Sequence, residues 1–181
     1  TQLEPKVVNL TIDPNNFEEL VVFAEDNKID LTIVGPEQPL VDGIVDFFLD
    51  RNLPVFGPSK RAAQLEGSKA FAKDFLARHS IPTAEYQKFT TIEPAIAYLH
   101  TKNMPIVVKA DGLAAGKGVV VAMTLDEAKQ AVNDMLAGNA FGEAGHRIVI
   151  EEFLAGEEVS FIVIVDGKNI LPMATSQDHK A

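Results

Sequence analysis

The stretch IVVKADGLAAGKGVVVA at positions 106–122 places three glycines, two lysines and one aspartate between two apolar runs. The apolar runs are typical of β-strands, and glycines let the connecting backbone turn sharply and approach a ligand closely. Backbone N–H groups in such a turn can surround an anion, to which Lys109 and Lys117 add positive charge. The stretch therefore predicts a β-hairpin whose tip, the flap at 111–118, covers an anion, and phosphate is the obvious candidate.

The flap does not match the best-known phosphate-binding motifs. A Walker A loop needs a glycine where this chain has Asp111, and a serine or threonine where it has Gly118. Walker A and Rossmann loops also lead into a helix, whereas this loop leads into a predicted strand. An ordinary glycine-rich hairpin turn therefore stays open as the alternative interpretation.

A second candidate is the acidic segment IVIEEFLAGEEVSF at 148–161, in which four glutamates follow an apolar strand. Adenine needs an apolar slot with free backbone groups at its edge, and a ribose diol needs a carboxylate acceptor. The EEFL segment at 151–154 could supply the first, and Glu157 or Glu158 the second. We predict a strand that begins near Val159, so alternation along the chain should send these two side chains to opposite faces. A solvated acidic turn is the alternative.

Two further positions suggest ligand contacts. Lys69 stands in the first turn of a predicted helix, where the helix dipole disfavours a cation unless a phosphate is bound there. Gly35, Pro36 and Glu37 follow a predicted parallel strand and open a helix, which is the edge at which open α/β sheets bind ligands. An ordinary surface lysine and a plain strand–helix turn are the respective alternatives.

The composition argues against several classes of protein. The 181-residue chain has a formal net charge of -10, which disfavours a general nucleic-acid binder. It has no cysteine for a disulfide, thiolate metal site or nucleophile, and its four histidines lack HExxH spacing. No apolar run approaches the length of a membrane span. We expect a cytoplasmic protein that binds neither nucleic acid nor membrane.

Alternating helix and strand patterns fill the first third of the chain. A helical stripe begins at Phe17 after a predicted N-cap at Asp13, and a second helix is predicted over 40–49. Short apolar strands are predicted at 30–34 and 54–57. This alternation predicts a parallel sheet with crossover helices on its faces.

The pattern changes near Gly67, where we place the domain boundary. Residues 59–79 are predicted to form two helices that break at Gly67, with Ser68 capping the second. Thr124 and Glu127 have the spacing of a capping box. The other elements predicted after the boundary are strands at 83–89, 106–110, 119–123, 147–154, 159–165 and 170–173 and helices at 92–100 and 124–136.

Four stretches agree with one known pattern: LTIVGPEQPLVDGIVD, AAQLEGSKAFAKDFLARHSIPTAEY, IVVKADGLAAGKGVVVA and LPMATSQDHK. They closely resemble the glycinamide ribonucleotide synthetases, also called phosphoribosylamine–glycine ligases, a family of the ATP-grasp superfamily. The resemblance covers essentially the whole chain. Its KADGLAAGKGV and ATSQDHK stretches are specific to this family rather than to ATP-grasp proteins at large.

The resemblance implies an α/β fold with a partial parallel-sheet N-terminal domain at 1–66 and the first part of an ATP-grasp domain at 67–181. The small lobe of the latter would span about 83–152, and the larger lobe would begin at 153–181. The implied reaction belongs to purine biosynthesis: ATP phosphorylates glycine, and 5-phosphoribosylamine then displaces the phosphate to give glycinamide ribonucleotide. ATP and Mg²⁺ are the implied cofactors, with Mn²⁺ as an alternative, and a monomer is expected.

Roles within the family carry over to positions of this chain. Lys69 and Lys109 match the lysines that contact the ATP phosphates, and Lys109 is the expected catalytic residue. The rest of the expected ATP site is Asp111, Gly112, Gly116, Lys117 and Gly118 in the flap, Glu151, Glu152, Phe153 and Leu154 at the adenine edge, and Glu158 at the ribose. The positions expected near the other substrates are Gly35, Pro36, Glu37, Asp178 and His179. The family's metal-binding Glu and Asn lie downstream of this sequence, so no metal ligand is named.

The chain is expected to be an internal fragment, because the family has a GxGxREHA-type loop before it and a further half of the grasp domain after it. Such a fragment should lack ligase activity by itself, since the metal ligands would be missing. Two alternatives stay open. One is another ATP-grasp carboxylate ligase, against which the SQDHK stretch argues, and the other is a nucleotide-binding module without catalysis.

Overall fold

The structure, a computed structural model, describes residues 6–113, 118–137 and 146–177. It has the mixed α/β architecture that the sequence predicted. Its elements in chain order are α1 (Phe17–Asp26), β1 (Thr32–Ile33), α2 (Glu37–Asp42), α3 (Ile44–Leu49), β2 (Val55–Phe56), α4 (Lys60–Gly67), α5 (Lys69–Arg78), β3 (Tyr86–Phe89), α6 (Ile92–Leu99), β4 (Ile106–Ala110), β5 (Val119–Ala122), α7 (Leu125–Leu136), β6 (Ile148–Glu152), β7 (Val163–Val165) and β8 (Ile170–Pro172).

The first unit is built around a short parallel sheet. β1 pairs with β2 in parallel, with Thr32 opposite Val55, and the helices α2 and α3 form the connection between them. This confirms the predicted crossover arrangement. The core is made by apolar side chains of α1 and α3, namely Val21, Ala24, Ile44, Val45 and Phe48.

Two helix predictions in this unit need correction. α1 is capped by Asn16 rather than Asp13, because the Asn16 side chain accepts the Glu19 N–H while Asp13 accepts the Asn15 N–H in a preceding turn. The helix predicted over 40–49 starts earlier, at Glu37, and is divided into α2 and α3. Gly43 lies between the two helices and has a left-handed backbone with a φ of 103°. Apolar periodicity did not reveal the division because both pieces keep helical spacing.

Helices α4 and α5 meet at Gly67 and Ser68, as predicted. The Ser68 hydroxyl accepts the N–H of Phe71 and caps α5. A Cβ atom added to Gly67 would lie 2.9 Å from a side-chain carbon of Val41 in α2. The glycine therefore lets α4 pack closely against α2, which brings the first unit next to the start of α5.

The second unit contains a four-stranded antiparallel sheet in the order β3-β6-β4-β5. Helices α6 and α7 cover one face, where Val108 and Ile150 are fully buried. Since adjacent residues of a strand point to opposite faces, Lys109 and Glu151 lie on the other face, which α5 contacts through β6. This alternation places two charged groups opposite the hydrophobic core.

Helix α7 spans 12 residues and begins with the predicted capping box. The Thr124 hydroxyl accepts the Glu127 N–H, and the Glu127 carboxylate accepts the N–H groups of Met123 and Thr124. Within the described ranges, no helix is both long and apolar enough to cross a membrane.

The last described segment is a β-hairpin. β7 pairs with β8, with Val165 opposite Ile170, which confirms the predicted hairpin. The strand predicted over 159–165 is shorter than expected, because β7 begins at Val163 and Ser160 forms only an isolated bridge with Ser176.

Candidate functional site

A cleft of about 670 Å³ lies between α5, the uncovered face of the sheet and the start of α2. Its walls carry charged side chains from five different elements. These are Glu37 from α2, Glu66 from α4, Lys69 and Lys73 from α5, Lys109 from β4 and Glu151 from β6. The lysines gather around α5 and the sheet, so this part of the cleft is suited to an anion despite the acidic chain.

At the centre of the cleft, two lysines share one carboxylate oxygen. The Nζ atoms of Lys73 and Lys109 lie 3.0 and 2.9 Å from Oε2 of Glu151. Glu151 and Lys109 stand diagonally across the β4–β6 ladder, within reach of long side chains. The Glu151 side chain is 6% exposed and the Lys109 side chain 27%, so Lys109 is the partner that a ligand can reach.

Lys73 was not among the residues predicted from the sequence to lie in the site. It is buried, and its Nζ also donates to Oγ1 of Thr83 at 2.7 Å and to the Ala84 carbonyl at 3.3 Å. Lys73 follows Lys69 by four residues, a spacing that puts both lysines on one face of a helix. That spacing was the available sequence signal.

Lys69 is the first residue of α5, as predicted. Its Nζ donates to the carbonyl of Gly112 at 2.7 Å and so joins the helix start to the flap. Burial lowers the pKa of Lys69 below its ordinary value, the charge of Lys109 lowers it further, and Asp111 opposes the shift. A bound anion would relieve this crowding of positive charge.

Asp111 lies at the base of the flap, behind the cleft wall. Its carboxylate accepts the Ala70 N–H at 3.1 Å, the Ser68 hydroxyl at 3.0 Å and Nε of Arg147 at 2.7 Å. Burial alone would raise the pKa of Asp111, but these hydrogen bonds and the Arg147 charge outweigh it and hold the pKa below its usual value. Asp111 thus stabilises the start of α5, and its contact with ATP stays a prediction.

The flap connects two antiparallel strands, as predicted. β4 pairs with β5, with Lys109 opposite Val119. At one end of the flap Gly112 has a φ of 87°, and at the other the buried Gly118 accepts the Ala110 N–H. Both glycines line the cleft. Gly116 and Lys117 lie outside the described residues.

The residues of the EEFL segment face different directions. The side chain of Glu151 lies in the cleft, whereas the carboxylate of Glu152 accepts the Glu85 N–H at 3.2 Å. Glu152 and Phe153 line a separate pocket of about 340 Å³. Among the described residues, neither Phe153 nor Leu154 forms a backbone hydrogen bond. The free backbone groups expected at an adenine edge are therefore available just after β6.

Glu158 lies in the exposed segment between β6 and β7, and it does not line the cleft. Because β7 begins at Val163, Glu157 and Glu158 lie outside both strands. Alternation along a strand therefore does not separate these two side chains, and that prediction is wrong. The ribose contact of Glu158 stays a prediction.

The turn at 35–37 brings the first unit to the cleft. Helix α2 begins at Glu37 after Pro36, and the Glu37 side chain lines the cleft together with the three lysines. Gly35 and Pro36 precede it and are not on the wall. Asp178 and His179 lie outside the described residues. Within the described ranges, no cluster of three or more His, Asp or Glu side chains could hold a metal ion.

Comparison with known proteins gives matches along the whole chain. The model of the phosphoribosylglycinamide synthetase N domain matches residues 1–66, and that of the phosphoribosylglycinamide synthetase ATP-grasp (A) domain matches residues 67–181. A phosphoribosylamine–glycine ligase of Pasteurella multocida is 72% identical over 180 residues, which cover 99% of this chain and 42% of the relative. The chain thus spans less than half the length of this curated relative.

Solved structures share the fold. The crystal structure of a phosphoribosylamine–glycine ligase from Thermotoga maritima matches with a TM-score of 0.67 at 33% identity, over 79% of this chain and 34% of that chain. A biotin carboxylase from Campylobacter jejuni, solved as a beta-gamma-ATP complex, matches with a TM-score of 0.72 at 22% identity, over 87% of this chain and 36% of that chain. The second match shows similarity of fold alone. On the two family models, which together cover the chain, this protein belongs to the phosphoribosylglycinamide synthetase family.

Proposed function

We propose that the protein joins glycine to 5-phosphoribosylamine at the expense of ATP, a step of purine biosynthesis. The observation that carries this proposal is the shared cleft, which Lys69 and Lys109 line together with Glu37 of the first unit. One wall offers cations to a triphosphate, and the other comes from the turn expected to lie near phosphoribosylamine. A ligase needs this juxtaposition because both reactants must be held within reach of each other.

The reaction proceeds in two displacements. A carboxylate oxygen of glycine attacks the γ-phosphorus of ATP, and the bond from that phosphorus to the β–γ bridging oxygen breaks, giving glycyl phosphate and ADP. The amine nitrogen of phosphoribosylamine then attacks the acyl carbon, the bond from that carbon to the phosphate oxygen breaks, and the amine loses a proton. No protein nucleophile is required, so the protein contributes positioning and charge stabilisation.

In this proposal Lys69 and Lys109 bind the phosphates of ATP. Lys109 exchanges Oε2 of Glu151 for a phosphate oxygen, and its partial exposure makes this exchange accessible. Lys69 exchanges the Gly112 carbonyl for a phosphate oxygen, which releases its contact with the flap. Lys117 and the glycine N–H groups of the flap would be further donors to the phosphates.

The adenosine end is assigned to the segment after β6. The backbone groups of Phe153 and Leu154 would bind the adenine edge, and Glu158 would accept the ribose hydroxyls. Mg²⁺, or Mn²⁺ as the alternative, would neutralise phosphate charge when bound. The described residues offer no cluster that could hold such an ion. The cytoplasmic location and the monomeric state stay predictions.

A ligation assay on the full-length protein tests the proposal. With ATP, Mg²⁺, glycine and freshly prepared phosphoribosylamine, we expect equal amounts of ADP and glycinamide ribonucleotide, the latter identified by mass spectrometry. Faster ADP formation with D-alanine or bicarbonate in place of glycine would identify a different carboxylate ligase. Binding of ATP without any ADP formation would identify a nucleotide-binding module, and either result would refute the proposal.

A pair of lysine variants provides the matched control for that assay. Lys109→Ala should lower kcat as well as ATP binding, since a phosphate contact strengthens as charge develops in the transition state. Lys88 lies in the same sheet and pairs with Asp74 at the surface, so Lys88→Ala should leave turnover unchanged. Equal effects of the two substitutions would contradict the role of Lys109.

A further inference from the structure

We infer that Lys73 is a positioning residue that holds Glu151 as its fixed counter-ion and thereby leaves Lys109 free to bind a phosphate. The inference rests on the proposed function, because it concerns the same cleft. The observation behind it is that Oε2 of Glu151 forms ion pairs with both lysines, at 3.0 Å from Nζ of Lys73 and 2.9 Å from Nζ of Lys109. Three features of the structure separate the roles of the two lysines.

The first feature is the number of acceptors around each ammonium group. Nζ of Lys73 forms an ion pair with Glu151 at 3.0 Å and donates hydrogen bonds to the Thr83 hydroxyl and the Ala84 carbonyl. Within the described part of the chain, Nζ of Lys109 has the Glu151 carboxylate as its single hydrogen-bond partner. Lys109 can therefore change partner by giving up one contact, whereas Lys73 would give up three.

The second feature is burial. The Lys73 side chain is 10% exposed, and the Tyr86 ring lies 5.6 Å from its Nζ, so water has little access to this charge. The Lys109 side chain reaches the open cleft. The lysine that a ligand can reach is therefore the one with the fewer internal contacts.

The third feature is the charge balance at Glu151. A buried carboxylate that loses its only cation is strongly destabilised. Without Lys73, Glu151 would depend on Lys109, and a phosphate would have to compete with the carboxylate for that lysine. With Lys73 in place, Glu151 keeps a cation when Lys109 turns towards the ligand. Lys73 thus supports phosphate binding without touching the phosphate.

Lys73 also links α5 to the sheet, and this purely structural role makes a different prediction. The contacts with Thr83 and Ala84 do not depend on Glu151, so a structural link would still matter after the Glu151 carboxylate is removed. The positioning role exists only while that carboxylate is present. A double-mutant cycle between Lys73 and Glu151 therefore distinguishes the two roles.

The test uses the full-length protein and calorimetric titration with a non-hydrolysable ATP analogue and Mg²⁺. Lys73→Met should weaken binding by about ten- to hundredfold, since a phosphate contact of Lys109 is lost to Glu151. In the Glu151→Gln background the same Lys73→Met change should alter binding by less than about threefold. Steady-state assays should show the KM for ATP rising in Lys73→Met with little change in the KM for glycine.

Lys88→Met is the matched control, because Lys88 also joins β3 to α5, through Asp74, but does so at the surface. It should leave nucleotide affinity unchanged. An equal loss from Lys73→Met with and without the Glu151 carboxylate would overturn the inference in favour of a structural link. No loss from Lys73→Met in the wild-type background would overturn it as well.

Two safeguards keep the test decisive. If thermal unfolding shows that Lys73→Met alone does not fold, the Glu151→Gln protein and the double variant are compared with each other: equal affinities support the inference, and a large loss in the double variant overturns it. The readout is nucleotide binding rather than ligation. A wild-type protein that binds nucleotide but makes no glycinamide ribonucleotide would therefore refute the proposed function while the cycle still decides the role of Lys73.

Discussion

Replacing Asp111 should loosen the start of α5 and the base of the flap together. The Asp111 carboxylate accepts from Ala70 and Ser68 at the helix start and from Arg147 just before β6. Asp111→Ala removes all of these contacts and leaves the buried Ala70 N–H without its acceptor. Asp111→Asn keeps an oxygen for Ala70 and Ser68 but loses the charge that pairs with Arg147.

The size of the effect follows from these contacts. Loss of a helix-capping acceptor costs about 1 kcal/mol. Loss of the charged hydrogen bond to Arg147 adds about 1 kcal/mol. This cost is smaller than for a fully buried pair, because the Arg147 side chain is 46% exposed and water can replace the lost contact. We therefore expect Asp111→Ala to lower the free energy of unfolding by about 2 kcal/mol and Asp111→Asn by about 1 kcal/mol.

The pH dependence of this effect has a definite sign. The pKa of Asp111 is depressed in the folded protein, so the group stabilises the fold above its unfolded pKa of about 4 and loses this contribution as pH falls through the folded pKa. The deficit of Asp111→Asn relative to wild type should be largest near neutral pH and should shrink below about pH 4.

Thermal unfolding and amide hydrogen exchange of the full-length protein measure the effect. Exchange should speed up at the start of α5, around Ala70 and Phe71, while the capping box of α7 at Thr124 serves as the internal reference. Unchanged exchange at the start of α5 in Asp111→Ala, or an Asp111→Asn deficit that grows as pH falls, would contradict this role of Asp111.

Three further changes have expected outcomes. Gly67→Ala should destabilise the protein by about 1–3 kcal/mol, because its Cβ would lie 2.9 Å from Val41, and a second change of Val41→Ala should recover part of the loss in thermal unfolding. The pKa of Asp166 should be about 2 in an NMR titration, because its carboxylate accepts hydrogen bonds from the backbone and side chain of Asn169 and from the Lys168 N–H. Asn169→Ala removes the side-chain donor and should raise this pKa. A pKa unchanged by that substitution would contradict the contribution of the Asn169 side chain. Glu158→Ala should raise the KM for ATP by about ten- to hundredfold and leave the KM for glycine unchanged, and an unaltered KM for ATP would remove Glu158 from the ribose site.

Local signals in the sequence were sufficient for much of the fold. The bounds of β4 were predicted correctly, because its apolar run ends at the glycine-rich flap. The α4–α5 break and the capping box of α7 depend on neighbouring residues, and both are present. The division of α2 from α3 was missed, since it depends on the left-handed backbone of Gly43, which periodicity does not detect.

The candidate site was harder to predict because its charges are paired over long distances in sequence. The burial of Lys73 and the partnership of Asp111 with Arg147 follow from how α5 packs on the sheet, which no local pattern contains. The opposite directions of Glu151 and Glu152 could have been inferred, since the predicted strand included both and side chains alternate along a strand. The start of β7 depends on its pairing with β8, so the apolar run at 159–165 gave too long a strand.

Isotope transfer tests whether the protein activates glycine as an acyl phosphate before the amide forms. The full-length protein is supplied with ATP, Mg²⁺, phosphoribosylamine and glycine carrying ¹⁸O in both carboxylate oxygens. If glycyl phosphate forms, each turnover leaves one ¹⁸O in the released phosphate and one in the new amide, because the oxygen that attacks ATP departs with the phosphate. Glycinamide ribonucleotide formed together with phosphate that carries no ¹⁸O would contradict the formation of glycyl phosphate.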